Sequence, residues 1–222
     1  MAILTLDSVV YRYGKENKSA TVLNHINAEF ETGHVYALMG KSGSGKSTLL
    51  SLMAGLDVPK EGSVLFEGKD TRTLDLFEYR RKNVAVIYQD FSLFPLLTVL
   101  ENIMYPMSLC HVDKMTARKE ALALAEKVQL PKELLNRYPG EISGGEQQRT
   151  AIARALTMNR RLILADEPTG NLDTENSENI MALLVRLAHE EQCCVIVATH
   201  DPTVMQYADQ TCRMVRGTLL LR

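Results

Sequence analysis

The feature that most constrains this chain is Gly40-Lys41-Ser42-Gly43-Ser44-Gly45-Lys46-Ser47. It stands between the apolar run His34-Val35-Tyr36-Ala37-Leu38-Met39 and the segment Thr48-Leu49-Leu50-Ser51-Leu52-Met53-Ala54. A strand, a glycine-rich turn and a helix in that order make a P-loop, because bare backbone N–H groups at a helix N-terminus wrap a phosphate chain. Side chains at Gly40, Gly43 or Gly45 would block positive φ or the close approach of phosphate. Lys46 is expected to reach the β/γ-phosphates and the Ser47 hydroxyl to hold Mg²⁺, with Lys41, Ser42, Ser44 and Thr48 completing the cradle. The spacing predicts a nucleoside triphosphate. A dinucleotide-binding turn fits less well, since Thr48 stands where its third small residue belongs.

The other strand that matters is Leu162-Ile163-Leu164-Ala165, which runs directly into Asp166-Glu167. An uninterrupted apolar strand is buried on both faces, and its C-terminal end is where open α/β sheets hold ligands. This is the Walker B arrangement. Asp166 is expected to assist Mg²⁺ and Glu167 to orient or deprotonate the attacking water. An acidic helix start before Pro168 would account for one carboxylate through the helix dipole, but not for the P-loop. A second glycine-rich helix start lies at Ile142-Ser143-Gly144-Gly145-Glu146-Gln147-Gln148-Arg149, where Ser143 can cap the helix or donate to an anion. Two phosphate-binding helix starts with one acidic strand end are satisfied economically by two copies arranged head to tail.

A chain of 222 residues, 45% hydrophobic and 23% charged, is long enough for one large α/β domain or two small ones. No linker or internal repeat divides it, and a single domain over 1–222 is expected. The net charge of -2 gives no basic footprint for nucleic acid. Cys110, Cys193, Cys194 and Cys212 lack a C-x-x-C spacing and fit reduced, buried thiols. No apolar stretch is long enough to span a bilayer, and Asp7 interrupts the N-terminus before a signal-type region forms.

Along the chain, strands are expected at 3–6, 9–11, 22–30, 63–66 and 84–88, with a polar turn over 14–19. A short helix is expected over 74–81. A helical pattern covers 98–129 with Pro106 as its break, and further helices cover 145–158 and 174–189. Strands at 161–165 and 193–198 precede a closing hairpin around Arg216-Gly217.

Taken together these motifs resemble the ATPase subunit of ABC transporters, over essentially the whole chain. The family signature L-S-G-G-Q appears here as Ile142 to Glu146, and Glu146 brings an extra negative charge to the trans site. The resemblance implies an α/β fold: a P-loop NTPase core with a mostly parallel sheet, an N-terminal antiparallel β subdomain and a helical subdomain inserted at about 90–158. It implies that Tyr13 stacks on adenine, that Gln89 touches Mg²⁺ and the lytic water, and that Asn171-Leu172-Asp173 crosses a dimer interface. His200, in Thr199-His200-Asp201, corresponds to the switch histidine that senses the γ-phosphate.

The resemblance also implies ATP and Mg²⁺ as ligands, a homodimer in the ATP-bound state, a separate transmembrane permease chain, and a peripheral place on the cytoplasmic face of the membrane. Nucleic acid is not expected. The segments 165–173 and 89–98 resemble the subgroup of lipoprotein release, macrolide export and cell division. The alternative, a soluble ABC-type ATPase acting on nucleic acid or ribosomes, normally carries a coiled-coil insertion, a second ATPase domain or basic arms. A P-loop kinase would need neither Ser143-Gly144-Gly145 nor His200. Between Gln89 and Leu109 the chain carries Phe91, Leu93, Phe94, Leu96, Leu97, Val99, Ile103, Met104 and Met107, and Phe94 and Leu97 are the expected contacts for a membrane partner.

Overall fold

The computed structural model describes residues 2–14, 20–158 and 160–221, so most of the polar turn expected over 14–19 lies outside the described residues. In chain order the elements are β1 (Ala2–Tyr13), β2 (Ala20–Glu31), β3 (His34–Met39), α1 (Lys46–Met53), β4 (Glu61–Phe66), β5 (Lys69–Asp70), α2 (Leu76–Asn83) and β6 (Val84–Ile87). Then follow α3 (Val99–Leu109), α4 (Lys114–Lys127), α5 (Gly144–Leu156), β7 (Leu162–Asp166), α6 (Thr174–His189), β8 (Cys194–Thr199), β9 (Gln210–Val215) and β10 (Thr218–Leu221). The chain divides into two compact units. One is built from the described residues within Met1–Val86, Arg161–Glu167 and Leu184–Arg222, the other from those within Ile87–Arg160 and Pro168–Leu183.

The first unit holds two sheets. The antiparallel one runs β2-β1-β4-β5, and β1 is a single strand where the sequence reads as two. Ser8 adopts φ 50 and the pairing with β2 shifts register between Leu6 and Val9, so a bulge absorbs Asp7-Ser8 without ending the strand. The larger sheet runs β10-β9-β3-β8-β7-β6. Its centre is parallel, and β8 is buried along its whole length because both faces are covered. Side chains from both sheets, among them Leu4, Leu23, Phe30, Leu38, Leu164 and Ile196, join one core with Leu49 and Met53 of α1. Each such leucine stabilises the fold by about 1.5–3 kcal/mol.

Register decides where the chemistry falls. Met39 pairs with Thr199 and Asp166 with Ala198, so β3, β7 and β8 end at one edge of the sheet and deliver Gly40, Glu167 and His200 there. The closing hairpin has its two-residue turn at Arg216 (φ 48) and Gly217 (φ 79), the pair of positive angles a tight β-turn of this hand requires. Burial raises the pKa of the Cys194 thiol and lifts that of Cys212 to about 11, so both stay protonated near neutral pH.

In the second unit α3, α4 and α5 pack on one another. The break expected at Pro106 comes later, because α3 carries Pro106 inside it and ends at Leu109. The missing proline N–H forfeits one helical bond. The complete capping box between Thr98 and Glu101 and the burial of Val99, Leu100, Ile103 and Met107 offset that loss. His111 then turns left-handed at φ 56, and the Asp113 carboxylate caps α4 by accepting from Met115 N at 3.1 Å and Thr116 N at 3.0 Å.

Asn102, fully buried on α3, fastens the preceding loop. Its Oδ1 accepts from Phe94 N at 2.8 Å, and its Nδ2 donates to Phe94 O at 3.1 Å and Leu97 O at 2.9 Å. Asn102→Leu strands these groups, and urea unfolding should show a loss of about 2–4 kcal/mol. A variant as stable as the parent would mean that the loop finds water instead.

Candidate nucleotide site

In the first unit, α1 starts on Gly45 at φ 104 with no side-chain cap, whereas α2, α3, α4 and α5 start on Asp75, Thr98, Asp113 and Ser143, each accepting from a first-turn N–H. The first-turn donors of α1 therefore have no capping side chain, as a phosphate site needs. Gly43, at φ 75, has open space where a Cβ would stand, and a Cβ on Gly40 would come within 2.5 Å of Ser44 Oγ. Ser44 Oγ is itself buried without a hydrogen-bond partner. An orphaned hydroxyl in a loop of glycines fits a ligand rich in oxygen acceptors.

Lys46 is 7% exposed, and its Nζ donates to Gly40 O at 2.8 Å and lies 3.7 Å from Glu167 Oε1. His200 Nδ1 is 2.8 Å from the same oxygen. Thr199 Oγ1 donates to the other, Glu167 Oε2, also at 2.8 Å. The P-loop lysine, the second Walker B carboxylate and the histidine after β8 thus form one cluster at the end of the sheet. Glu167 itself is left-handed at φ 48, a backbone conformation a non-glycine residue holds only when its surroundings impose it. Tyr13 is half-exposed beside α1, with its hydroxyl 3.2 Å from Thr48 Oγ1 and its ring edge-on to Tyr11 at 5.0 Å. A cavity of about 980 Å³ opens beside the loop, lined by Gly40, Ser42, Ser44, His200, Arg213 and Arg216 but not by Tyr13 or Lys46.

The second unit gathers another set. Gln89 Nε2 donates to Asn171 Oδ1 at 3.3 Å and Asn171 Nδ2 donates back to Gln89 O at 2.9 Å. Gly170 leaves room for this clasp, since a Cβ there would lie 2.8 Å from Gln89 Nε2. Ser143 caps α5 in a closed capping box: its N–H and hydroxyl both donate to Glu146 Oε2, at 2.7 and 2.9 Å. Gly145 is packed so tightly that a Cβ would meet Asn176 Oδ1 at 2.2 Å.

A family model described as ABC transporter matches residues 23–170, two thirds of the chain and all of the motifs from the P-loop to Gly170. The chain belongs to the ABC transporter family. Among its relatives, YclH of Bacillus subtilis, an uncharacterized ABC transporter ATP-binding protein, is 37% identical over 222 residues, covering 100% of this chain and 97% of YclH. MJ0796 of Methanocaldococcus jannaschii, also an ABC transporter ATP-binding protein, is 39% identical over 214 residues, 94% of this chain and 91% of the relative. The dimeric structure of the MJ0796 cassette superposes with a TM-score of 0.88 at 37% identity, covering 97% of this chain and 96% of that one. A second MJ0796 dimer, in a post-hydrolysis state bound to ADP and Pi, gives 0.88 at 36% identity, again over 97% and 96%.

This ABC chain is accordingly an ATP-binding cassette with ATPase activity, and its fold is the expected α/β cassette. Four features of its second unit escape the sequence. Leu97, an expected contact, is half-buried, while Leu96, named in the segment but not as a contact, is 86% exposed, because Leu97 N turns back to Phe94 O and Asn102 holds its carbonyl. Val99, Ile103 and Met107 are core. Asn171 gives the lone Gln89 a partner, and Gln148, fully buried, donates to Pro168 O at 2.7 Å. The last two pairs lie 82 and 20 positions apart, beyond any local pattern.

Proposed function

We propose that this chain is the ATP-hydrolysing motor of a membrane ABC complex, which dimerises head to tail on ATP and drives conformational change in a separate transmembrane permease chain from the cytoplasmic face of the membrane. The observation that carries the proposal is the uncapped, glycine-lined start of α1 with Lys46 set against Glu167 and His200. Gly40 to Thr48 hold the triphosphate, with Lys46 on the β/γ-phosphates, and Tyr13 faces the adenine. Ser47, Asp166 and Gln89 serve Mg²⁺. Among the described residues no group of three or more His, Cys, Asp or Glu side chains could hold a metal, and Mg²⁺ would enter with the nucleotide and offset the charge of its phosphates. Glu167 takes the proton of the attacking water, His200 holds the γ-phosphate side, and the products are ADP and phosphate. Gly144 and Gly145 serve the nucleotide of the opposite copy, and Ser143, whose hydroxyl proton goes to Glu146 in this structure, joins them when it turns from that carboxylate to phosphate.

No helix among the described residues is long and apolar enough to cross a membrane, so the span comes from the permease. Its docking surface is the loop before α3, where Leu96 is 86% exposed and Phe94, 40% exposed, packs tilted against Tyr105 with ring centroids 4.4 Å apart and the Arg154 guanidinium 5.8 Å from its ring. Phe94→Ser should leave basal hydrolysis intact and reduce co-purification with the permease from detergent-solubilised membranes about tenfold or more. Undiminished recovery of the permease would move the docking surface elsewhere. Failure of the parent chain to recover any membrane chain would count against the motor assignment itself.

A further inference from the structure

We propose that Thr199 is a positioning residue for ATP hydrolysis, acting through Glu167. It is the last residue of β8, fully buried, and its hydroxyl lies between two fixed partners. Asp201 N donates to Thr199 Oγ1 at 3.1 Å, and Thr199 Oγ1 donates to Glu167 Oε2 at 2.8 Å. A hydroxyl has a single proton, and with a backbone N–H on its lone pair that proton is committed to the carboxylate.

The effect on Glu167 is geometric. Rotation of a carboxylate about its last torsion is soft, so without an anchor its two oxygens exchange places and directions readily. Here Oε2 is taken by Thr199, with His200 N a longer donor at 3.4 Å, and Oε1 is left facing Lys46 Nζ at 3.7 Å and His200 Nδ1 at 2.8 Å. The backbone is fastened to the same strand, since Glu167 N donates to Ala198 O at 2.8 Å and holds the left-handed φ of 48. Two consecutive residues of β8 thus fix both the main chain and the head group of the carboxylate. The Thr199 carbonyl accepts from Gly40 N of the P-loop at 3.3 Å, a main-chain bond that Thr199→Val and Thr199→Ser both keep, whereas the hydroxyl bonds only to Asp201 N and Glu167 Oε2 among the described residues. Its influence on the reaction therefore runs through the direction of Oε1, where misplacement by about 1 Å is enough to cost on the order of 10²-fold in rate.

This inference rests on the reading of Glu167 as the base, and the test separates the two. Thr199→Val keeps the shape and removes the donor. It should lower kcat for ATP about tenfold or more while the affinity for a fluorescent ATP analogue stays within about twofold. Thr199→Ser, which restores the hydroxyl, should return most of the rate, and Thr199→Val should cost nothing further in a Glu167→Gln background. If the valine variant does not fold, Thr199→Ala takes its place against Thr199→Ser. A hydroxyl-free variant that hydrolyses like the parent, or a serine variant as slow as valine, overturns the inference even though Glu167→Gln is inactive. Glu167→Gln retaining hydrolysis overturns the reading of the base, and the role of Thr199 with it.

Discussion

Glu167→Gln is expected to bind MgATP and to hydrolyse it at least about 10²-fold more slowly than the parent. The amide preserves the shape of the side chain, and its oxygen can still accept from Thr199, but it cannot take a proton from water. It also removes a negative charge that lies 3.7 Å from Lys46 Nζ, freeing that ammonium for the γ-phosphate and easing closure around the nucleotide. Binding and chemistry should therefore separate, and the variant should accumulate with ATP as a dimer. Size-exclusion chromatography with light scattering should give the mass of two chains with ATP and Mg²⁺ and of one chain without. Hydrolysis at the parental rate would remove Glu167 from the chemistry.

Much of this site is legible in the sequence because parallel strands leave a linear trace. Three apolar runs end in Gly40, in Asp166-Glu167 and in Thr199-His200, and a sheet in which Met39 pairs with Thr199 and Asp166 with Ala198 has to bring those ends together. What the sequence hides depends on single side chains meeting across long separations. Thr199 is one β-branched residue closing an apolar strand, and nothing local marks its hydroxyl as the partner of a carboxylate 32 positions earlier. Asn102 is likewise an isolated polar residue in an amphipathic helix until its four loop partners are seen.

Glu146 makes the opposite point. Against the family signature it looks like an intruding charge, yet Ser143 and Glu146 have the S-x-x-E spacing of a capping box, and the structure forms that box. Pro106 shows how far burial can override a local rule, since the helix it should have ended continues to Leu109 around four buried apolar side chains.

The claim at the centre of this account is that each nucleotide lies between the P-loop of one copy and the Ser143-Gly144-Gly145 start of the other. Lys46→Ala removes the cation that pairs with phosphate, and its nucleotide affinity should fall at least about tenfold. Gly145→Asp places a side chain where even a Cβ meets Asn176 at 2.2 Å, and adds a negative charge at the start of α5 where phosphate should bind. Each variant alone damages both sites of a homodimer, but one heterodimer contains one site built from an intact P-loop and an intact signature, and one site with both lesions. The decisive measurement is ATP hydrolysis across mixing ratios of the two variants at fixed total protein. The account predicts activity that peaks near an equal mixture, well above either variant alone. A flat, inactive profile at every ratio, in mixtures shown to contain heterodimers, would contradict it.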